Sequence, residues 1–305
     1  MIDRFKIYSS LILVVLFLST GSSIVAQDYN FGIRAGLSYS RLLGPTINEP
    51  THSDAFQFNN GIHFGVTFTY NITDVFGLRT EVSYNQIGTR YTFESQDAPY
   101  VFRDGLERAP RNGEVTRFYD VSNAYVHVPL MANWKPIKKL ELFGGIYTQF
   151  LVLPTSGGKV DFTAPINPET GEVYNYSFIQ SIEGNYYSDD PREAKGNQGL
   201  VVDLIIDGEV TKIGMNRLVG AYYELDADEK RGSTYNWFDA GLEAGASYYI
   251  NRSLFLSFSA MYGLLDVTND NLDVDFYRLN EFDKFNFRDD FDTNLSLQVS
   301  LGFKF

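Results

Sequence analysis

Apolar and polar side chains alternate along much of the chain, most clearly in its last segment. Between Thr293 and Phe305 the odd positions are apolar after the first, and the even positions are polar, small or charged. A period of two places the two sets of side chains on opposite faces of a β-strand. The two faces of this strand therefore meet different environments.

Seven further segments are predicted as strands, of which six alternate clearly. Residues 140–152 alternate poorly and are assigned by position and length. The eight predicted strands are residues 30–39, 61–70, 77–85, 125–134, 140–152, 238–248, 255–264 and 293–305. Strands of about ten residues are long enough to cross a bilayer when tilted. A soluble β-sandwich alternates in the same way, so this pattern alone leaves both architectures open.

The lengths of the connections favour an eight-stranded antiparallel transmembrane barrel. Three connections are short, at residues 71–75, 135–139 and 250–253. The other four are long, at residues 44–59, 86–122, 153–236 and 265–292. Short turns at one end and long extracellular loops at the other are typical of outer-membrane barrels. An even number of strands then places both termini at the short-turn, periplasmic end.

Aromatic residues cluster at both ends of the predicted strands, which indicates two interfacial girdles. Charged and histidine side chains on the polar faces would be costly to bury unless they are paired or hydrated. Eight strands leave an interior that side chains just fill. We therefore expect an interior polar network that closes the lumen, formed by Arg34, His63, Arg79, Glu81, His127, Glu141, Glu243 and Lys304.

The first 26 residues are typical of an export signal. Arg4 and Lys6 precede an apolar run at residues 11–18, and Ala26 offers a small residue for cleavage. The run is too short for a membrane-spanning helix. We expect residues 1–26 to be a signal peptide and residues 27–305 to form the barrel domain.

Composition excludes several classes of protein. The chain of 305 residues contains no cysteine, which excludes disulfides, thiolate metal sites, a cysteine nucleophile and a lipoprotein anchor. The net charge is −13, and cleavage after Ala26 would make it −14, so nucleic acid is not an expected partner. The 25 Phe, 21 Tyr and 2 Trp residues argue against a disordered chain.

Catalytic patterns are weak, and we expect neither an enzyme nor a cofactor. His52, Ser53 and Asp54 are adjacent in sequence, whereas triad geometry is spatial. His63 and His127 are predicted to point inward, where hydrogen bonding is preferred over an acid–base role with Glu81 or Glu243.

The last long connection is rich in acidic residues. The spacing of Asp266, Asn269, Asp270, Asp273 and Asp275 raises the hypothesis of a calcium site. The segment lacks the order and the glycine of an EF-hand. A solvated acidic loop without metal is the preferred interpretation.

Residues 153–236 form the longest predicted connection, and loops on rigid scaffolds often carry recognition. We interpret its aromatic residues as a binding surface for a protein or glycan, although a self-packed cap over the barrel mouth remains an alternative. The Asp207-Gly208 pair predicts a hairpin turn within residues 198–225, with a ninth and tenth membrane strand as the alternative. The proposed surface residues are Tyr186, Tyr187, Tyr222, Tyr223 and Tyr235.

Three segments resemble the outer-membrane β-barrel domain proteins of the PorT-like, "porin family" type. They are NFGIRAGLSYS at residues 30–40, AYVHVPLMAN at residues 124–133 and FDAGLEAGAS at residues 238–247. The resemblance implies a Gram-negative outer membrane, with lipid and the barrel assembly machinery as partners, and it carries no catalytic residues. The end of the chain resembles the C-terminal signal read by that machinery, at Val299, Leu301, Phe303 and Phe305.

These observations favour a non-catalytic barrel scaffold that presents its loops for binding or for association with an outer-membrane complex. A small passive pore is the second hypothesis. A membrane-embedded hydrolase or acyltransferase is the third.

Overall fold

The computed structural model describes residues 29–104, 107–165, 171, 176–185, 195–196, 201–206, 209–214 and 231–305. The predicted signal peptide lies outside these ranges. No helix in the described part of the chain is both long and apolar enough to cross a membrane. The strands are β1 Tyr29–Leu43, β2 Asn48–Glu49, β3 His52–Asn71, β4 Phe76–Asp104, β5 Glu107–Ile137, β6 Leu140–Thr163, β7 Phe178–Asn185, β8 Lys195–Gly196, β9 Val201–Ile206, β10 Glu209–Gly214, β11 Phe238–Tyr249, β12 Leu254–Gly263, β13 Val274–Leu279, β14 Phe285–Phe287 and β15 Thr293–Lys304.

Eight of these strands form a closed antiparallel ring. The hydrogen-bonded order is β11-β12-β15-β1-β3-β4-β5-β6, and β6 pairs back with β11. Strands β1 and β15 pair along their lengths, with Ile33 opposite Phe303. Each of the eight predicted strands is present, so the barrel is confirmed.

The outer surface of the barrel carries the apolar belt that the alternation predicts. Phe76 stacks on Trp134 near the short turns, with ring centroids 6.3 Å apart. The girdle predicted at that end is exposed and consists of Phe31, Tyr70, Phe76, Trp134, Tyr248, Phe303 and Phe305. At the other end Tyr39 stacks on Phe58 at 4.5 Å. Because side chains alternate along a strand, this outward apolar set leaves the polar set inside. The belt includes Phe31, Ile33, Leu37, Ile62, Phe64, Val66, Leu78, Val82, Leu130, Ile146, Leu242, Leu256, Phe258, Val299 and Leu301.

Glycines in β11 make room for aromatic rings that help to fill the interior. A Cβ atom at Gly241 would lie 2.8 Å from the Tyr147 ring, and one at Gly245 would lie 2.5 Å from the Phe143 ring. Both rings are buried. Any larger residue at either glycine would therefore displace an interior ring.

The strands continue far beyond the belt, and the sequence-based boundaries are wrong there. Strands β4 and β5 contain 29 and 31 residues and pair up to Asp104 opposite Glu107. Residues 86–122, predicted as a loop, are therefore almost entirely a hairpin. Residues 52–59 and 153–163, also predicted as loop, belong to β3 and β6.

The extended strands enclose a second core, and we call this part of the molecule the head. It comprises residues 52–58, 89–104, 107–121 and 154–165, Tyr176, β7, β9, β10 and residues 266–292. The rings of Tyr100, Phe162 and Phe178 lie 4.8–5.9 Å apart between centroids. The buried members are Tyr91, Phe93, Ala98, Tyr100, Val101, Phe102, Val115, Tyr119, Val160, Phe162, Ala164, Tyr176, Phe178, Val202, Leu204, Ile213, Val274, Phe276 and Phe285.

The hairpin predicted around Asp207-Gly208 is confirmed. Strands β9 and β10 lie on either side of this dipeptide, with Ile206 opposite Glu209. Each has six residues, and the two pair in a separate two-stranded sheet. The alternative of a ninth and tenth membrane strand is therefore wrong.

Candidate functional site

The barrel interior contains a connected set of buried ion pairs. Arg34 in β1 lies with its Nε 2.7 Å from Glu81 Oε2 and its Nη2 3.7 Å from Glu243 Oε1. Arg79 in β4 lies 3.8 Å from Glu81 and 3.5 Å from Glu141. All of these side chains are at most 3% exposed. The two guanidinium groups therefore bridge carboxylates from three different strands across the lumen.

Both inward histidines lie in the same buried interior, and His127 contacts the ion pairs directly. His127 Nε2 lies 3.4 Å from Glu243 Oε2. His63 contacts Ser38 Oγ through Nδ1 at 3.1 Å and Ser300 Oγ through Nε2 at 2.8 Å. The hydrogen bond of His127 is between its Nδ1 and Ser83 Oγ at 3.3 Å. Both imidazoles are buried, and their bonds to serine give them a hydrogen-bonding role in the packed interior.

Lys304 lies at the short-turn end of the interior. Its Nζ is 5.7 Å from the ring centroid of Tyr249, whose hydroxyl donates to Glu141 Oε2 at 3.1 Å. The amino group nearest to Glu141 belongs instead to Lys135, at 3.9 Å. The strand alternation placed Lys304 in the interior, but only the tertiary structure shows Lys135 reaching Glu141 from the end of the barrel.

A second polar cluster, which the sequence-based site did not include, closes the opposite end of the lumen. Asp239 Oδ2 accepts hydrogen bonds from Gln149 Nε2 at 2.7 Å, Asn294 Nδ2 at 2.9 Å and the Tyr147 hydroxyl at 3.3 Å. All four residues are buried. Asp239 and Asn294 are on the polar faces of predicted strands, and that alternation was the signal that pointed to them.

His52, Ser53 and Asp54 do not form a catalytic arrangement. The His52 ring stacks on Tyr277 with centroids 3.4 Å apart, and its Nε2 lies 3.4 Å from Glu49. Asp54 accepts hydrogen bonds from Arg288 at 2.8 Å and from the Tyr91 hydroxyl at 3.1 Å. Each ionisable member of the trio is thus committed to a packing contact in the head.

The five residues predicted as calcium ligands do not converge on one point in the structure. They were Asp266, Asn269, Asp270, Asp273 and Asp275. Asn269 donates its side-chain amide to the carbonyl oxygens of Arg231 and Ser233. Asp275 accepts the backbone N–H of Tyr277. Among the described residues, the carboxylates that converge are those of Asp273, Asp290 and Asp292, with oxygens within 4.8 Å of one another.

Positive side chains of the described residues do not balance the negative charge of Asp273, Asp290 and Asp292, which we call the acidic cluster. Burial and then the carboxylates of Asp290 and Asp273 raise the pKa of Asp292 to about 7. The pKa of Asp273 is also raised to about 7, mainly by burial. The positive charge of Arg288 lowers this pKa, and the nearby carboxylate of Asp290 raises it. Close like charges and desolvation both favour the neutral carboxyl.

The cluster borders a cavity that we call the mouth cavity, with a volume of about 120 Å³. It lies where β1, β3, β4 and β5 leave the belt and meet the last connection. Rings of Phe56, Tyr91, Tyr119, Tyr235 and Phe276 line it, together with Asp273, Arg288 and Asp292.

The predicted tyrosine surface is only partly within the described chain. Tyr186, Tyr187, Tyr222 and Tyr223 lie outside the described residues. Tyr235 is buried at 7% exposure, so its predicted exposure is wrong. It packs in an apolar cluster with Leu42, Val121 and Leu272, which alternation along the strands could not show.

Comparisons with known structures give distant similarities. Ail, the attachment invasion locus protein of Yersinia pestis, is 10% identical, with 92% of this chain and 100% of Ail covered at a TM-score of 0.34. OprG from Pseudomonas aeruginosa is 10% identical, with 91% and 96% covered at 0.34. The outer membrane protease OmpT from Escherichia coli is 10% identical, with 94% and 99% covered at 0.31. No curated protein sequence matches the chain.

The family comparison covers most of the chain. The outer membrane protein beta-barrel domain family matches residues 25–269, which include seven of the eight ring strands. The family, the closed ring and the apolar belt place the protein in the outer membrane of a Gram-negative bacterium. The chain belongs to the outer membrane protein beta-barrel domain family.

Proposed function

We propose that the protein is a non-catalytic outer-membrane scaffold whose head faces the extracellular side and binds a protein or glycan partner. The main support for this proposal is that the strands extend beyond the belt and form the head with its own aromatic core. Strands β4 and β5 run about 18 residues past the belt, and aromatic packing holds them together with β6 and β7. A barrel needs no such structure to remain in the membrane.

The surface of the head also supports a binding role. Val201 and Val210 of the β9–β10 hairpin are 52% and 67% exposed, and Phe282 in the last connection is 68% exposed. Exposed apolar side chains of this kind offer contact area to a protein partner. A rigid strand-built support lowers the entropy lost when such side chains are immobilised in a complex.

The packed interior supports a scaffold over a passive pore. The Arg34, Arg79 and Asp239 clusters occupy successive levels of an eight-stranded lumen. We therefore expect little steady conductance from the reconstituted protein in planar bilayers. Large, stable channels would favour the pore hypothesis instead.

A head-deleted variant tests the binding role. In this variant, short turns replace residues 89–121 and 154–235. The chain ends on either side of each deletion are close together, because Gly88 pairs with Ser122 and the Leu151 N–H donates to the Trp237 carbonyl oxygen. The belt and the ion pairs stay in place, so the variant should remain folded and heat-modifiable. It should lose the partner that the full chain captures from outer-membrane extract or on a glycan array.

Two results would contradict this proposal. If the folded variant captures every partner of the full chain, recognition does not reside in the deleted part of the head. If the variant fails to fold, the head acts as a structural cap of the barrel, which was the alternative raised by the sequence.

A further inference from the structure

We propose that the mouth cavity binds a small organic ammonium ion, with its alkyl or aryl body among the aromatic rings and its cationic group against Asp273 and Asp292. The cavity and the carboxylates are separate features that meet at one place. This proposal concerns a small molecule in the mouth and does not depend on the partner proposed for the outside of the head.

The cavity has the size and walls for a compact organic group. Its volume of about 120 Å³ compares with the roughly 150 Å³ of an engineered apolar cavity that binds benzene. Phe56, Tyr91, Tyr119 and Tyr235 present rings to it. Aromatic faces attract cations as well as apolar groups.

The charged wall of the cavity holds two carboxylates, those of Asp273 and Asp292, and one cation, Arg288, whose ion pair is with Asp54. Asp292 is 2% exposed, and its Oδ1 is buried with no hydrogen-bond partner among the described residues. Of the side chains in those residues, Thr268 alone donates a hydrogen bond to it, through Oδ2 at 3.3 Å. A buried carboxylate with an unused oxygen is costly, and an ammonium group would supply the missing donor.

The nearest positive side chain is already committed elsewhere. Arg288 lies 2.8 Å from Asp54, with its Nη2 donating to Asp54 Oδ2. The Arg288 guanidinium interacts with Asp54, Asp273 and Asp290, and Asp292 forms no ion pair with a cation of the described residues. This imbalance selects a cation over a neutral molecule or an anion.

The chemistry of the wall also separates an organic cation from a bare metal ion. Three carboxylates suit calcium, but calcium needs six to eight oxygen ligands. The rest of the cavity is lined largely by rings and apolar side chains, including Leu42, Val121 and Leu272. An ammonium ion with an apolar body uses both kinds of wall.

Calorimetric titration of the full-length protein in detergent tests the inference. Benzylammonium chloride is the probe, and benzyl alcohol is its neutral counterpart of similar shape. We expect benzylammonium to bind at least tenfold more tightly than benzyl alcohol. Asp292→Asn and Asp273→Asn should each weaken benzylammonium at least fivefold and leave benzyl alcohol unchanged.

Asp289→Asn is the matched control, because it removes one negative charge from the same connection at an exposed position that does not line the cavity. This variant should bind benzylammonium within twofold of the unaltered protein. Equal binding of the two probes, or no binding of benzylammonium, would overturn the inference even if an aspartate variant failed to fold. The inference would also be overturned if the protein bound calcium chloride but not benzylammonium, and if Asp292→Asn abolished the calcium binding. That result would assign the site to a metal ion.

Discussion

The barrel interior and the head core both exclude water, but they do so with opposite chemistry. The interior is filled by ion pairs such as Arg34 with Glu81, and its outer surface is apolar. The head is filled by rings such as Phe102 and Phe162. The same β4, β5 and β6 strands pass through both regions. The surroundings thus decide which face of a strand is apolar. The apolar face points outward where lipid surrounds the belt, and it points inward where water surrounds the head.

The difference in chemistry predicts a difference in how each region fails. An ion pair in a closed interior depends on both partners, since one that remains alone is an uncompensated buried charge. An aromatic core loses stability in proportion to the volume removed. Four changes test this contrast, and two of them have a matched control variant.

Removal of a central cation should have the largest effect. Arg34→Ala leaves Glu81 and Glu243 without their nearest guanidinium, and we expect a loss of about 3–5 kcal/mol in the free energy of unfolding of the barrel. Urea unfolding in detergent, followed by heat-modifiability on gels, measures it. Arg90→Ala is the control, because Arg90 and Asp120 pair at 3.1 Å while about 40% exposed and should contribute no more than about 1 kcal/mol. Similar losses in the two variants would show that the interior pairs are not essential.

A cavity in the aromatic core should destabilise the head and spare the barrel. Phe162 is fully buried between Tyr100, Phe102 and Phe178, so Phe162→Ala should cost about 3–4 kcal/mol. Limited proteolysis should then cut the head while the belt strands stay protected. Phe282→Ala removes a ring that is 68% exposed and should change stability by less than about 0.5 kcal/mol. Joint unfolding of head and barrel would mean that the two regions are one cooperative unit.

The acidic cluster should make the stability of the head depend on pH. Because the pKa values of Asp273 and Asp292 are raised to about 7, the folded protein holds protons that the unfolded chain releases above about pH 4. Stability should therefore fall as pH rises from about 4 to about 7 and level off above that. The slope is at most about 1.4 kcal/mol per pH unit for each group. Asp292→Asn should flatten this slope in urea midpoints measured at pH 5 to 8, and an unchanged slope would contradict the assignment.

Deletion of the last residue should have the smallest effect on the stability of the folded barrel. Phe305 is 73% exposed, and its contacts are a backbone bond to Phe31 and a ring contact with Phe303 at 5.3 Å. We expect less than about 1 kcal/mol in unfolding of protein that has already folded. The heat-modifiable fraction in cells should nevertheless fall, because the C-terminal strand resembles an assembly signal. Normal assembly in cells would contradict that role.

The alternation of side chains along the chain determined the eight strands and their two faces, and the lengths of the connections then favoured a barrel over a sandwich. A period of two at residues such as Leu297, Val299 and Leu301 fixes which face meets lipid, because a shift by one residue would turn every side chain to the wrong solvent. The same rule placed Arg34, Glu81 and Glu243 inside. The contrast between short and long connections determined which end holds the additional structure.

Only the tertiary structure decided what fills the space beyond the belt. Within residues 86–122 the alternation is interrupted, because Arg117 lies on the buried face, Phe118 lies on the other face, and the register shifts between Ser95 and Ala98. The sequence therefore did not show that one face packs on rings from distant segments such as β7 and β13. The ion-pair partners were likewise undetermined, since Arg34 and Glu81 are 47 residues apart. The meeting of Asp273, Asp290 and Asp292 depends on how the last connection folds back over the mouth. Local sequence sets the face of each strand, whereas contacts between distant segments follow only from closure of the ring and packing of the head.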